Sequence, residues 1–135
     1  MKKKHLSSLA GFSMIELLVV ATIMIILTTI ALVSYRQATI NTRNAKRKSD
    51  LQAVKQQLVL YRSDNGCYPA SASYLAMLAT ISAYTTDIPY DPLGTEANPI
   101  YTYTPSGTCN STEASGFTLE AILEPDDTPY TVQNP

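Results

Sequence analysis

Hydrophobic and polar positions divide the chain into three stretches with different periods. From Phe12 to Tyr35, FSMIELLVVATIMIILTTIALVSY, 24 residues carry Glu16 as their only charge before Arg36. At about 1.5 Å per residue this is roughly 36 Å of helix, enough to cross a hydrocarbon core of about 30 Å. A helix apolar on every face predicts membrane insertion, because the remaining head is too small to wrap it. Beyond Tyr35 the pattern changes. Leu51, Val54, Leu58 and Tyr61 recur at spacings of three, four and three. They mark one face of an amphipathic helix, with Lys46, Arg47, Lys48, Asp50, Lys55 and Arg62 mostly elsewhere. No Pro or Gly lies between Phe12 and Asn65, so both stretches predict one helix over 12–64, roughly 80 Å long. Asn65-Gly66 supplies a left-handed stop.

The third stretch, 65–135, is a small head rich in turn formers. Seven of the eight prolines lie from Pro89 onward, which argues against helix there. Ser71 or Ser73 is placed to cap a short helix through Tyr74–Leu78. Asp91-Pro92-Leu93-Gly94 has the pattern of a type I turn, with Pro second and Gly fourth. Ile100–Thr104 reads as a strand and Pro105-Ser106-Gly107 as a turn. Gly116–Glu124 alternates, with Phe117, Leu119, Ala121 and Leu123 facing inward, and Tyr130-Thr131-Val132 adds a third strand. The fold class is α+β.

Charge sharpens the division. The formal net charge is only −1, yet all ten Lys and Arg fall at or before Arg62. Residues 1–62 carry +8 and residues 63–135 carry −9, with no base in the second part. The single histidine is His5, in a stretch expected to be removed, so no site that needs imidazole is foreseen. The head offers no Schiff-base lysine, arginine clamp or basic groove for nucleic acid. No catalytic residue, metal or cofactor is expected. The acids Glu113, Glu120, Glu124, Asp126 and Asp127 include oxygen ligands suited to calcium, but no EF-hand spacing, and read as a solvated acidic face. The nine tyrosines read as core and interface packing rather than a base-stacking surface.

The N-terminal segment, Lys2-Lys3-Lys4-His5 followed by an apolar run, has the outline of a signal peptide. The run is longer than an ordinary h-region, no A-x-A site follows it, and Glu16 stands near its start. A carboxylate inside a membrane costs about 2.5 kcal/mol or more without a partner. Gly11-Phe12-Ser13-Met14-Ile15-Glu16, after a basic leader and before a long apolar helix, resembles the type IV prepilin signature. The resemblance implies removal of a leader, residues 1–11, by a prepilin peptidase cutting between Gly11 and Phe12, then N-methylation of Phe12. Glu16 would be the fifth residue of the mature chain, paired during assembly with the Phe12 amine of another subunit in a low-dielectric bundle. The resemblance also implies a pilin-like layout in which the outer half of the long helix lies on a small antiparallel sheet. DNGCYP, DPLG and YTYT are similar to segments in the heads of type II secretion major pseudopilins and short type IV pilins. Many pilins carry a proline within the apolar helix; this chain has none.

Three lysines precede the apolar helix and five bases follow it closely, a count that by itself places the head in the cytoplasm. The leader and the cysteines outweigh it and place the head outside. Cys67 and Cys109 both lie in that head, where an oxidising compartment favours a disulfide over two buried thiols. The expected function is a structural subunit of a type IV pilus-like filament, a homopolymer held first in the membrane and then assembled through its apolar helices. The alternatives are a major pseudopilin of a secretion or competence system and, in another class, a monomeric single-pass membrane protein with a small binding head. Implied partners are the prepilin peptidase, an assembly platform with its ATPase, and minor pilins. Nucleic acid would enter only through uptake by an assembled filament. After processing, residues 12–62 carry +5 beside the −9 head, which leads us to expect basic stems to pair with acidic heads of neighbouring subunits.

Overall fold

The computed structural model describes residues 11–85, 87–110 and 112–135. Helix α1 runs without a break over Met14–Asn65. The chain divides into two compact units whose boundary falls between Ala38 and Thr39, so α1 contributes to both.

In the first unit every described residue is exposed. The helix begins two positions after Phe12 because Ser13 acts as its cap: Glu16 N donates to Ser13 Oγ at 3.3 Å, and Ser13 N donates to Glu16 Oε2 at 3.4 Å. Further along, Thr22, Thr28 and Thr29 turn their hydroxyls back onto the carbonyls of Val19, Met24 and Ile26 at 2.8, 2.7 and 2.7 Å. Such back-bonding satisfies a hydroxyl without water or a second chain. Among the described residues α1 is the one helix long and apolar enough to cross a membrane.

The second unit is an α+β head built on the outer part of α1. Gly66, at φ 85°, ends the helix in the left-handed region that glycine adopts without strain. Then follow β1 (Tyr68–Pro69), α2 (Tyr74–Thr80), β2 (Thr102–Ser106), β3 (Glu113–Ala114), β4 (Gly116–Leu123) and β5 (Thr128–Gln133). Ser73 caps α2, its Oγ accepting from Ala76 N at 3.2 Å. Strands β2, β4 and β5 form an antiparallel sheet with β4 central, and Leu119 sits opposite both Tyr103 and Val132. Leu51, Val54 and Leu58 of α1 are fully buried in one core with Tyr68, Met77, Ile81, Phe117 and Leu119. Phe117, Leu119 and Ala121 face inward as the alternation requires, while Leu123 is half-buried at the strand end. Tyrosines fill much of the rest: Tyr68 meets Phe117 edge-on at 4.8 Å between ring centroids, and Tyr74 meets Tyr101 at 5.6 Å.

Two strand boundaries differ from expectation. β2 starts at Thr102 rather than Ile100, because Ile100 sits at φ 66° and breaks the extended run. It then continues through Pro105, which the sheet tolerates because β2 pairs only with β4 and its other side is a free edge. The pairing of β1 with β3, Tyr68 opposite Ala114, has no sequence signal: two residues are too few to show a period.

Candidate functional site

Of the residues singled out from the sequence, Gly11, Phe12 and Glu16 lie together at the start of the first unit. Phe12 is exposed, and Glu16 stands in the first turn of α1. Lys2, Lys3, Lys4 and His5 fall outside the described residues. Glu16 has a partner within its own chain that the sequence also signals: Ser13-Met14-Ile15-Glu16 is an S-x-x-E capping box, in which serine and glutamate each satisfy the other's backbone N–H. The carboxylate therefore meets the positive end of the helix dipole before any second subunit is present. The long apolar surface that follows has no cover among the described residues.

Cys67 and Cys109 form a disulfide in the head, with Cα atoms 6.0 Å apart. It lies next to the β1–β3 ladder, where Cys109 N donates to Glu113 O at 3.0 Å.

The head also holds a charge cluster absent from the sequence-level expectations. Arg47 lies four residues before Leu51, so it belongs to the inward stripe of α1 rather than off that face, where its charge groups it with Lys46 and Lys48. It is only 3% exposed. Its guanidinium takes Asp91 side-on, Nε to Oδ2 at 2.5 Å and Nη2 to Oδ1 at 3.1 Å. Nη2 also donates to Glu124 Oε1 at 2.8 Å, and Nη1 to Asn44 Oδ1 at 2.9 Å. Arg43 pairs with the other oxygen of Glu124. Asn44 Nδ2 donates to the Glu124 carbonyl at 2.7 Å, while Glu124 N donates to Asn44 Oδ1 at 3.1 Å. Two cations and two carboxylates thus balance, and every group that Arg47 contacts is held by a second bond.

The Asp91 end is built by its turn. Gly94 N donates to Asp91 O at 2.7 Å, closing the turn expected from DPLG, and Leu93 N donates to Asp91 Oδ1 at 2.8 Å. The turn thus orients the carboxylate that meets Arg47. Two expectations change as a result. Glu124 leaves the solvated acidic face, and Arg43 and Arg47, part of the basic stem, find their acidic partners within the same chain. The recoverable signal was a charge on an apolar helical stripe, which demands a counter-charge from whatever packs there.

Burial pushes the Asp91 carboxyl up, but the Arg47 guanidinium and the Leu93 N–H overcome it and hold the group below its ordinary 3.8. For Glu124, the bond from Arg43 leads; against some burial, and with help from Arg47, it holds the carboxyl below its ordinary 4.5. The same two carboxylates, Asp91 foremost, raise Arg47. Depressed carboxylates contribute stability that is complete above their ordinary values and drains away as pH falls through the lower folded ones. Melts of the detergent-solubilised chain, followed by near-UV tyrosine dichroism, are expected to hold steady down to about pH 5 and fall below about pH 4. A melting temperature unchanged from pH 5 to pH 2 would refute this.

No protein-family model, curated protein or solved structure matches the chain. The chain itself offers a capped glutamate at the start of an apolar helix exposed among the described residues, and a small head fastened to the outer helix by a disulfide-bearing fold and a neutralised charge cluster.

Proposed function

We propose that the chain is a structural subunit of a type IV pilus-like filament with a pilin-like fold. It is cut between Gly11 and Phe12 by a prepilin peptidase, N-methylated on Phe12, held in the membrane by residues 12–35 with its head outside, and polymerised through those apolar helices. The observation that carries the reading is the apolar half of α1: an 18-residue window reaches a mean hydropathy of 2.7 with none of it buried. So much apolar surface needs lipid or other helices to cover it. GFSMIE, with Glu16 in the first turn, directs the reading toward the helices of other subunits. The prepilin peptidase, an assembly platform with its ATPase, and minor pilins follow as partners.

The charge cluster narrows how subunits meet. Arg43 and Arg47 are engaged within the chain, whereas Arg36, Lys55, Asp126 and Asp127 make no ion pair among the described residues. Contacts between basic stems and acidic heads of neighbours fall to charges of that second kind, and their strength should decline in high salt.

The test is the intact mass and N-terminal sequence of the protein from cells that express it. A chain starting at N-methylated Phe12 supports the proposal; one starting at Met1, or cut after the apolar run, overturns it in favour of a membrane-anchored binding head. As a second check, Glu16→Gln is expected to leave the membrane level of the protein unchanged while surface filaments, sheared and counted by electron microscopy, are lost. Filaments at the normal number would remove Glu16 from assembly.

A further inference from the structure

Asn110-Ser111-Thr112 is the one place in the sequence where an asparagine is followed two residues later by serine or threonine with no proline between them. This is the tripeptide that N-linked glycosylation requires in an exported protein. We propose that Asn110 is an N-glycosylation site; the proposal rests on the reading of the head as extracytoplasmic.

The geometry of the two outer residues favours the chemistry. Asn110 and Thr112 are both exposed. Asn110 Oδ1 accepts from Thr112 N at 3.0 Å and from Thr112 Oγ1 at 3.3 Å, so the hydroxyl of the third position meets the side-chain carbonyl of the first. Two donors on Oδ1 stabilise the charge that builds there as Nδ2 loses a proton, which eases conversion of a poor amide nucleophile into a usable one. Nδ2 carries two hydrogens. One is used toward Glu113 Oε2 at 2.6 Å, a bond that survives replacement of the other; that other faces Cys67 Sγ at 3.8 Å, a weak contact given up when the sugar is joined. Beside Thr112 lies a polar cleft of about 280 Å³, lined by Tyr61, Ser71, Thr80, Thr112 and Glu113 among others. Hydroxyls, a carboxylate and an aromatic ring there suit a first sugar folded back onto the head.

The donor is an oligosaccharide linked to a polyprenyl diphosphate, and the catalyst a membrane-bound transferase facing the same side as the head. The bond formed joins Asn110 Nδ2 to the anomeric carbon of the first sugar. The bond broken joins that carbon to the diphosphate oxygen, polyprenyl diphosphate leaves, and the amide proton passes to a base of the transferase. Nothing is oxidised or reduced.

The experiment is mass spectrometry of the full chain from its own cells, before and after peptide-N-glycosidase F in ¹⁸O-water, with chymotryptic mapping of the head. The expected result is a mass above that of the polypeptide by whole sugar increments, with ¹⁸O-labelled aspartate at the former Asn110 after release. Asn110→Gln and Thr112→Val are each expected to abolish the increment, while Thr112→Ser retains it. An unmodified Asn110, or an increment that persists in Asn110→Gln, overturns the proposal. The same spectra read the N-terminus independently. A Phe12 start with bare Asn110 removes the glycan and leaves the filament reading intact; a Met1 start with glycosylated Asn110 does the reverse.

Discussion

Replacing Arg47 with alanine is expected to destabilise the head by about 3–5 kcal/mol, the range for breaking a buried ion pair by removing one partner. The loss follows from what stays behind. Asp91 keeps its Leu93 N–H bond but loses both guanidinium bonds in a site where its side chain is 4% exposed, and a buried carboxylate without its cation must be neutralised or drawn out to water. Glu124 is less affected, since Arg43 still holds it. For a unit of about 100 residues, such a loss lowers the melting point by roughly 15–30 °C. Arg47→Lys should recover only part of it, because an ammonium cannot take Asp91 side-on and reach Glu124 together. Arg47→Met with Asp91→Leu should come out near the native stability, since swapping both charges for apolar groups removes the desolvation cost along with the attraction. Melts of the three variants decide the matter. An Arg47→Ala head that melts within a few degrees of the native one shows that water reaches the cluster.

Removing the Cys67–Cys109 bridge is expected to cost about as much, roughly 4 kcal/mol by loop entropy. The bridge spans a sequence separation of 42, which encloses α2, the DPLG turn and β2 and so constrains much of the unfolded head. A head this size has little reserve beyond that. In Cys67→Ser/Cys109→Ser the β1–β3 ladder should open first, since its pairing is only two residues long. Hydrogen exchange at Ala114 and melts with and without reductant would show it. Equal melting points for the oxidised and doubly substituted chains would mean that the core alone holds the loop.

The elements whose physics is local were legible in the sequence, and those made by meetings of distant residues were not. The uninterrupted helix, its stop at Asn65-Gly66 and the inward stripe of Leu51, Val54 and Leu58 follow from period and propensity. So do the Ser73 cap, the DPLG turn and the alternation through Phe117, Leu119 and Ala121. Ile100 misled because β-branched composition promises a strand, while the chain there takes a positive φ that propensity does not register. Arg47 is grouped by its charge with the residues off the apolar face, although its position four residues before Leu51 places it inside. Its partners come 44 and 77 residues later, and no short-range pattern links them. At the N-terminus the capping box is legible in Ser13 and Glu16, three residues apart, and it forms whether or not a second chain supplies the carboxylate with a further partner.

The inward-turned hydroxyls of Thr22, Thr28 and Thr29 bear on how one such helix would slide along another. With those groups closed onto their own backbone, the shaft beyond Glu16 is almost uniformly greasy, and successive axial offsets between two shafts differ little in energy. In the filament proposed above, the glutamate would then be a single detent on a smooth rod. Once it disengaged, a bundle of these helices would lengthen under tension by creeping through many nearly equivalent positions rather than by snapping.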